Sequence, residues 1–146
     1  MFKVSMYTDG SCRRNPGPGG WSAILMYGDR RKEISGRAHR TTNNAMELKA
    51  VIEGISVLKH PCAVTVYTDS QYVERSFKGL YKTKTNVRMW NELNRVIAEG
   101  HHTVSIVKVP GHAGNVENER CDQMARAESL QALVEENIAL NASIAG

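Results

Sequence analysis

Tyr7-Thr8-Asp9-Gly10-Ser11 has an echo much later in the chain, Tyr67-Thr68-Asp69-Ser70. Each copy closes a run that reads as a strand. Before the first, Phe2, Val4 and Met6 alternate with Lys3, Ser5 and Tyr7, the period-two pattern of a half-buried strand ending at Thr8. Before the second, residues 63–68 form a short β-rich run. If the two strands lie parallel and adjacent, Asp9 and Asp69 leave their carboxyl ends side by side, where open α/β sheets build their sites. Either aspartate alone has an ordinary explanation, a turn residue for Asp9 and a helix N-cap for Asp69. The repeated context argues for a shared role.

The rest of the chain supplies the frame. Asn15-Pro16-Gly17-Pro18-Gly19-Gly20 is turn chemistry. Residues 21–27 and 30–39 read as two more strands around a Gly28-Asp29 hairpin turn, so the first three strands suggest an antiparallel meander. The period then changes. Met46, Ala50, Val51, Ile55 and Leu58 recur at helical spacing, predicting a helix over 43–58 capped by Asn43 or Asn44 and stopped by His60-Pro61. A short helix follows Asp69-Ser70 to about Phe77, 78–85 reads as a basic loop, and 87–98 is helical. Residues 103–109 alternate as a last strand, and 116 onward is helical. Three strands, helix, strand, helices, strand, helix predicts an α/β fold with a mixed sheet. Its crossover helix makes the strand at 63–68 parallel to one of the meander.

Composition bounds the function. At 146 residues the chain is one domain, or one with a tail. Its 41% hydrophobic and 23% charged content suits a globular core rather than disorder. No stretch approaches the ~20 apolar residues of a membrane span, and Lys3, Ser5 and Asp9 break any apolar signal core. Cys12, Cys62 and Cys121 cannot all pair and lack zinc-site spacing, so reduced thiols in a cytoplasmic protein are expected. The net charge is +4, yet the last 20 residues hold three Glu and no Lys or Arg, leaving +7 on the body. A basic body suits a polyanionic partner.

Two close carboxylates repel unless a cation sits between them, and hard oxygen ligands suit Mg²⁺ or Mn²⁺. Two more acids join by their surroundings, Glu47 in Thr41-Thr42-Asn43-Asn44-Ala45-Met46-Glu47-Leu48 and Asp122 in Asn118-Glu119-Arg120-Cys121-Asp122. The bland readings are a helix-dipole partner for Glu47 and a solvated helix face for Asp122. Taken with the echo, with Asn15-Pro16-Gly17-Pro18-Gly19-Gly20, with Thr68-Asp69-Ser70-Gln71-Tyr72-Val73 and with Gly111-His112-Ala113-Gly114, these segments resemble ribonuclease H of type 1 over residues 2–128.

The resemblance implies a ribonuclease H-like fold, a five-stranded mixed sheet with helices on both faces. It divides the chain into a catalytic domain at 1–128 and an extension at 129–146, helical and then a frayed tail. It implies internal cleavage of the RNA strand of an RNA–DNA hybrid, leaving 5′-phosphate and 3′-hydroxyl ends. Asp9, Glu47, Asp69 and Asp122 match the family's metal ligands, for two Mg²⁺ ions with Mn²⁺ as substitute, and His112 the mobile helper that moves a proton. Two ions ~3.5–4 Å apart suit in-line displacement. Cys12, Asn15, Asn43, Asn44 and Gln71 match the minor-groove contacts that read the RNA 2′-hydroxyl. Thr42 and Asn86 match a phosphate clamp on the DNA strand, with Arg88 beside it and Trp90 against deoxyribose, although a Trp at helical spacing is also ordinary core.

This chain departs from the pattern in places. Only 20 residues separate Asp69 from Trp90, so the basic protrusion of many bacterial members is missing or very short, leaving Arg13, Arg14, Lys82, Lys84 and Arg88 as basic contacts. Arg14 stands where Gly is common, Ala45 where Arg is common, and Pro110 precedes Gly111-His112 as in retroviral domains. Two rival readings are a non-catalytic hybrid-binding module and a resolvase- or integrase-like enzyme. The first has no need of four carboxylates; the second lacks Asn43-Asn44, Gln71 and the Gly-His-Ala-Gly loop together. The partners expected are a hybrid and no membrane. The chain is expected to be a monomer, with a dimer through Leu130, Leu133, Val134 and Ile138 as the alternative.

Overall fold

The computed structural model describes residues 1–80, 85–111 and 114–145. The alternation at the start of the chain builds β1 (Phe2–Cys12), with Val4 and Met6 buried. β1 pairs antiparallel with β2 (Gly17–Tyr27), which pairs antiparallel with β3 (Arg30–Thr41). On its other side β1 pairs parallel with β4 (Cys62–Thr68), and β4 with β5 (Thr103–Lys108). The order β3-β2-β1-β4-β5 is the expected five-stranded mixed sheet. The two echoed segments stand level in it. Tyr7 pairs with Tyr67 across the parallel strands, and their rings stack 4.9 Å apart.

Alternate residues of the strands face two helical layers. α1 (Asn43–Ser56) and α3 (Val87–Glu99) cover one face, where Met6, Ala23, Leu25, Val64 and Val66 pack against Leu48, Ile52 and Leu93. The short α2 (Gln71–Phe77) adds Val73 to this core. On the opposite face Ile24, between Ala23 and Leu25, meets Cys121 and Met124 of α4 (Val116–Ala145). Helices therefore lie on both faces.

Several boundaries differ from the sequence expectation. β1 continues past Thr8 to Cys12, and β2 begins at Gly17 rather than 21, so much of the Gly-Pro run is buried strand. Tertiary contact explains this, because a Cβ on Gly20 would collide with the Ala125 carbonyl and Glu128 of α4. Gly20 is bare because a helix lies on it, whereas Gly17 is hemmed in by the Arg13 and Arg14 carbonyls and Gly19 by Thr41 and Met46. The cap of α1 is Thr42, whose hydroxyl accepts from Ala45 N at 3.1 Å, and not Asn43 or Asn44. α1 ends at Ser56, and the Val57 N–H bonds back to the Ile55 carbonyl. Residues 141–145, expected to fray, continue α4 as helix. Lys82 and Lys84 lie outside the described residues.

Candidate active site

Asp9 stands near the end of β1, where the bare backbone of Gly10 lets α1 come close. A Cβ on Gly10 would collide with Glu47 N and the Met46 carbonyl carbon. That approach carries Glu47 to Asp9. Asp69 follows β4. The cap of α2 is Ser70, whose hydroxyl accepts from Val73 N at 3.1 Å, so the N-cap explanation for Asp69 fails. One oxygen from each of Asp9, Glu47 and Asp69 lies within 4.8 Å of the others. Asp122 lines the same recess from α4 and pairs with Arg126 at 3.0 Å.

The electrostatics are those of crowded, buried carboxylates. Burial, then Asp69, pushes the Asp9 carboxyl up to about 7, although Gly10 N donates to its Oδ1 at 2.9 Å. Glu47 is held well above its ordinary value by burial and then by Asp9 and Asp69. It is only 5% exposed, and its Oε2 has no hydrogen-bond partner among the described residues. Nor does it serve the helix dipole, since the first turn of α1 holds no acidic residue. Converging oxygen ligands with an unpaired buried acceptor fit a hard divalent cation.

Pro110 and Gly111 line the recess beside Asp69, so the loop leaving β5 passes over the carboxylates. His112 itself lies outside the described residues.

The expected substrate contacts fall on two rims. On one, the Cys12 thiol donates to the Thr41 carbonyl at 3.3 Å, and Asn15 Oδ1 accepts from Asn43 N at 2.9 Å. This ties the β1–β2 turn to the start of α1, where Thr42, Asn43 and Asn44 stand. The turn-forming explanation for Asn15 is thus incomplete, since its side chain also fastens α1. On the other rim, Asn86 Nδ2 and Trp90 Nε1 both donate to the Tyr72 hydroxyl, at 3.1 and 2.9 Å. Trp90 is 7% exposed and packs in the core with Leu93, which favours its core explanation; one edge meets a recess beside Val87 and Asn91. Gln71 and Arg88 are exposed at the starts of α2 and α3. Two residues escaped the sequence reading. Tyr72 organises the second rim, and its only signal is its place beside Gln71. Arg126 is visible as a cation four residues after Asp122, on the same helix face.

A mixed sheet with an aspartate at the ends of two parallel strands, a glutamate brought beside them by α1 and a fourth acid on the helix across them is the architecture of the ribonuclease H type. The RNase H family model matches residues 2–130. A ribonuclease H of Bradyrhizobium diazoefficiens is 44% identical over 149 aligned residues, covering 93% of this chain and 96% of its own. One from Campylobacter concisus is 46% identical, covering 94% and 100%. Among solved structures, an N-terminal RNase H domain from Mycobacterium tuberculosis superposes with a TM-score of 0.81 at 23% identity, over 93% of this chain and 99% of that one, a likeness of fold. LC11-RNase H1 in complex with RNA/DNA hybrid superposes with a TM-score of 0.76 at 26% identity, over 89% and 99%. The chain belongs to the RNase H family of nucleases.

Proposed function

We propose that Asp9, Glu47, Asp69 and Asp122 hold two Mg²⁺ ions, with Mn²⁺ as substitute, and that the protein uses them to hydrolyse the RNA strand of RNA–DNA hybrids internally. The observation that carries this is the convergence of Asp9, Glu47 and Asp69 within 4.8 Å around a buried Glu47 oxygen with no partner. Divalent cations held there supply an activated water and charge neutralisation at the departing 3′ oxygen. The carboxylates orient those cations, and Glu47 also faces a 2′-hydroxyl. Cys12, Asn15, Asn43, Asn44 and Gln71 line the hybrid's minor groove, where the 2′-hydroxyl tells RNA from DNA. The Thr42 hydroxyl accepts from Ala45 N, so its own proton is left for a DNA phosphate. Asn86, Arg88 and Trp90 border the same strand, and His112 moves a proton at the departing group. The products end in 5′-phosphate and 3′-hydroxyl.

Residues 1–128 form the catalytic unit of a monomer and 129–146 an extension, of which the helix through Ala132 packs on that unit. The three thiols suit a reducing cytoplasm, and no helix among the described residues is long and apolar enough to cross a membrane. The deciding experiment sets an RNA–DNA hybrid beside duplex RNA and duplex DNA, each with Mg²⁺, Mn²⁺ or EDTA. Cleavage of the hybrid's RNA strand alone, abolished by EDTA and by Asp69→Asn, is expected. Equal cutting of a duplex, or cutting in EDTA, would overturn the reading.

A further inference from the structure

α4 carries Asp122, and among the described residues Asp122 is the one carboxylate of the four outside the group that falls within 4.8 Å. Its reach toward the others therefore depends on how α4 is seated. Beside Asp122 the helix is seated by core contacts, since Cys121 and Met124 pack on Ile24 and the Ser22 hydroxyl donates to the Cys121 carbonyl at 2.7 Å; from Ala125 onward the contact is close but smooth. Ala125, Ser129 and Ala132 are fully buried, and Gly20 of β2 lies against Ala125 and Ser129 with no side chain of its own. Small side chains offer few ridges and grooves to resist sliding or rolling.

Polar contacts from β3 and the β1–β2 turn supply what the smooth stretch lacks. Toward the start of α4, Glu33 receives Arg120 through two nitrogens, at 2.9 and 3.0 Å, and Arg31 bridges Glu33 and Glu117. Further along, Arg37 spans Glu128 at 2.8 Å and Glu135 at 2.9 and 3.1 Å. The buried Ser129 hydroxyl lies 3.3 Å from Arg13 Nε, which donates to it, and donates to the Arg126 carbonyl at 2.9 Å. Asp122 falls between the two groups of pairs. Single exposed ion pairs contribute little, but a network of two-pronged arginine contacts fixes geometry.

The geometry points to Arg37 as a positioning residue for Asp122: the charge ladder between β3 and α4, acting with the core contacts at Cys121, sets the register and roll of the helix, and with them the completeness of the metal site. This rests on the reading of Asp122 as a ligand given above. Arg37 touches no substrate or ligand itself, so its effect is smaller than the 10–100-fold typical of groups that contact a metal ligand directly.

The test uses the full chain, free of substrate, titrated with MnCl₂ in a calorimeter well below the variant's Tm. Arg37→Glu sets a negative charge against Glu128 and Glu135. The Mn²⁺ dissociation constant should rise on the order of three- to tenfold, and the Mn²⁺ needed for half-maximal hybrid cleavage should rise with it at unchanged KM for the hybrid. Adding Glu135→Arg should recover part of the loss, as a coupled pair does, with Glu128 still facing the new carboxylate. Should Arg37→Glu fail to fold, Arg37→Gln enters the same titration with a smaller rise expected. A lower Tm at unchanged Mn²⁺ affinity would overturn the proposal and leave the ladder a fastening of the fold alone. A parent chain that binds no Mn²⁺ and leaves the hybrid uncut would instead sink the reading of the site, and this proposal with it.

Discussion

At Glu47 the fold holds a carboxylate where water would ordinarily be needed, and Asp9 shares the strain. With the Asp9 carboxyl pushed up to about 7, the metal-free protein keeps a proton that the unfolded chain gives up near pH 4. Stability tied to that proton is complete below about pH 4 and is lost as pH rises through about 7. Thermal melts in EDTA should show Tm falling between pH 5 and 8. Asp69→Asn removes a neighbour that raises both groups, so its curve should be flatter. At pH 7.5 the variant should melt about 2–6 °C above the parent, at ~2–4 °C per kcal/mol for a chain this size. Parallel curves would show that the carboxylates do not repel as described. Mg²⁺ should raise the parent's Tm at that pH and leave the variant's almost unmoved. Asp9 and Asp69 are legible in the sequence because strand alternation precedes each in the same words. Glu47 is legible only through family resemblance, because its burial arises from a bare backbone 37 positions earlier in the chain.

The elements owe their placing to contacts of that sort. A methyl group on Gly10 would meet the backbone of α1 and nothing flexible. Gly10→Ala should cost about 1–3 kcal/mol as an overpacked site, read as a Tm lower by about 2–12 °C. It should also depress hybrid cleavage at saturating metal, since Glu47 must retreat from Asp9. Normal cleavage with a normal Tm would mean that the two elements have slack. Thr42→Ala should cost about 1 kcal/mol through the lost cap, with metal binding unchanged in calorimetry. The element order follows from periodicity and turn chemistry, and a parallel pairing of β4 with one strand of the meander follows from the crossover rule; that this strand is β1 is suggested only by the echoed segments and is shown by the register. The start of β2 follows from none of these. Gly17-Pro18-Gly19-Gly20 has the composition of a turn, and only the helix seated on Gly20 shows why it is strand. The cap at Thr42 rather than Asn43 is equally hidden, because all three polar residues there suit the position.

Over the whole molecule the extension beyond residue 128 is bound into the body. Ala132 is buried, and Glu135 and Glu136 reach Arg37 and Arg14. Ending the chain after Ser129 should lower Tm by about 3–8 °C while hybrid cleavage survives at saturating metal; an unchanged Tm would show that the extension does not pack. Leu130, Val134, Ile138, Leu140 and Ile144 remain exposed. The intact chain should sediment as a monomer, and a concentration-dependent dimer that truncation abolishes would give those side chains a mate in a second copy. One more consequence follows from the position of β3 at the rim of the sheet. An open strand invites another molecule's strand, and proteins commonly repel such visitors with charge. Arg30, Arg31, Lys32, Arg37, His39 and Arg40 all lie on β3. The strand that seats α4 is thereby also a guard against fibrous growth.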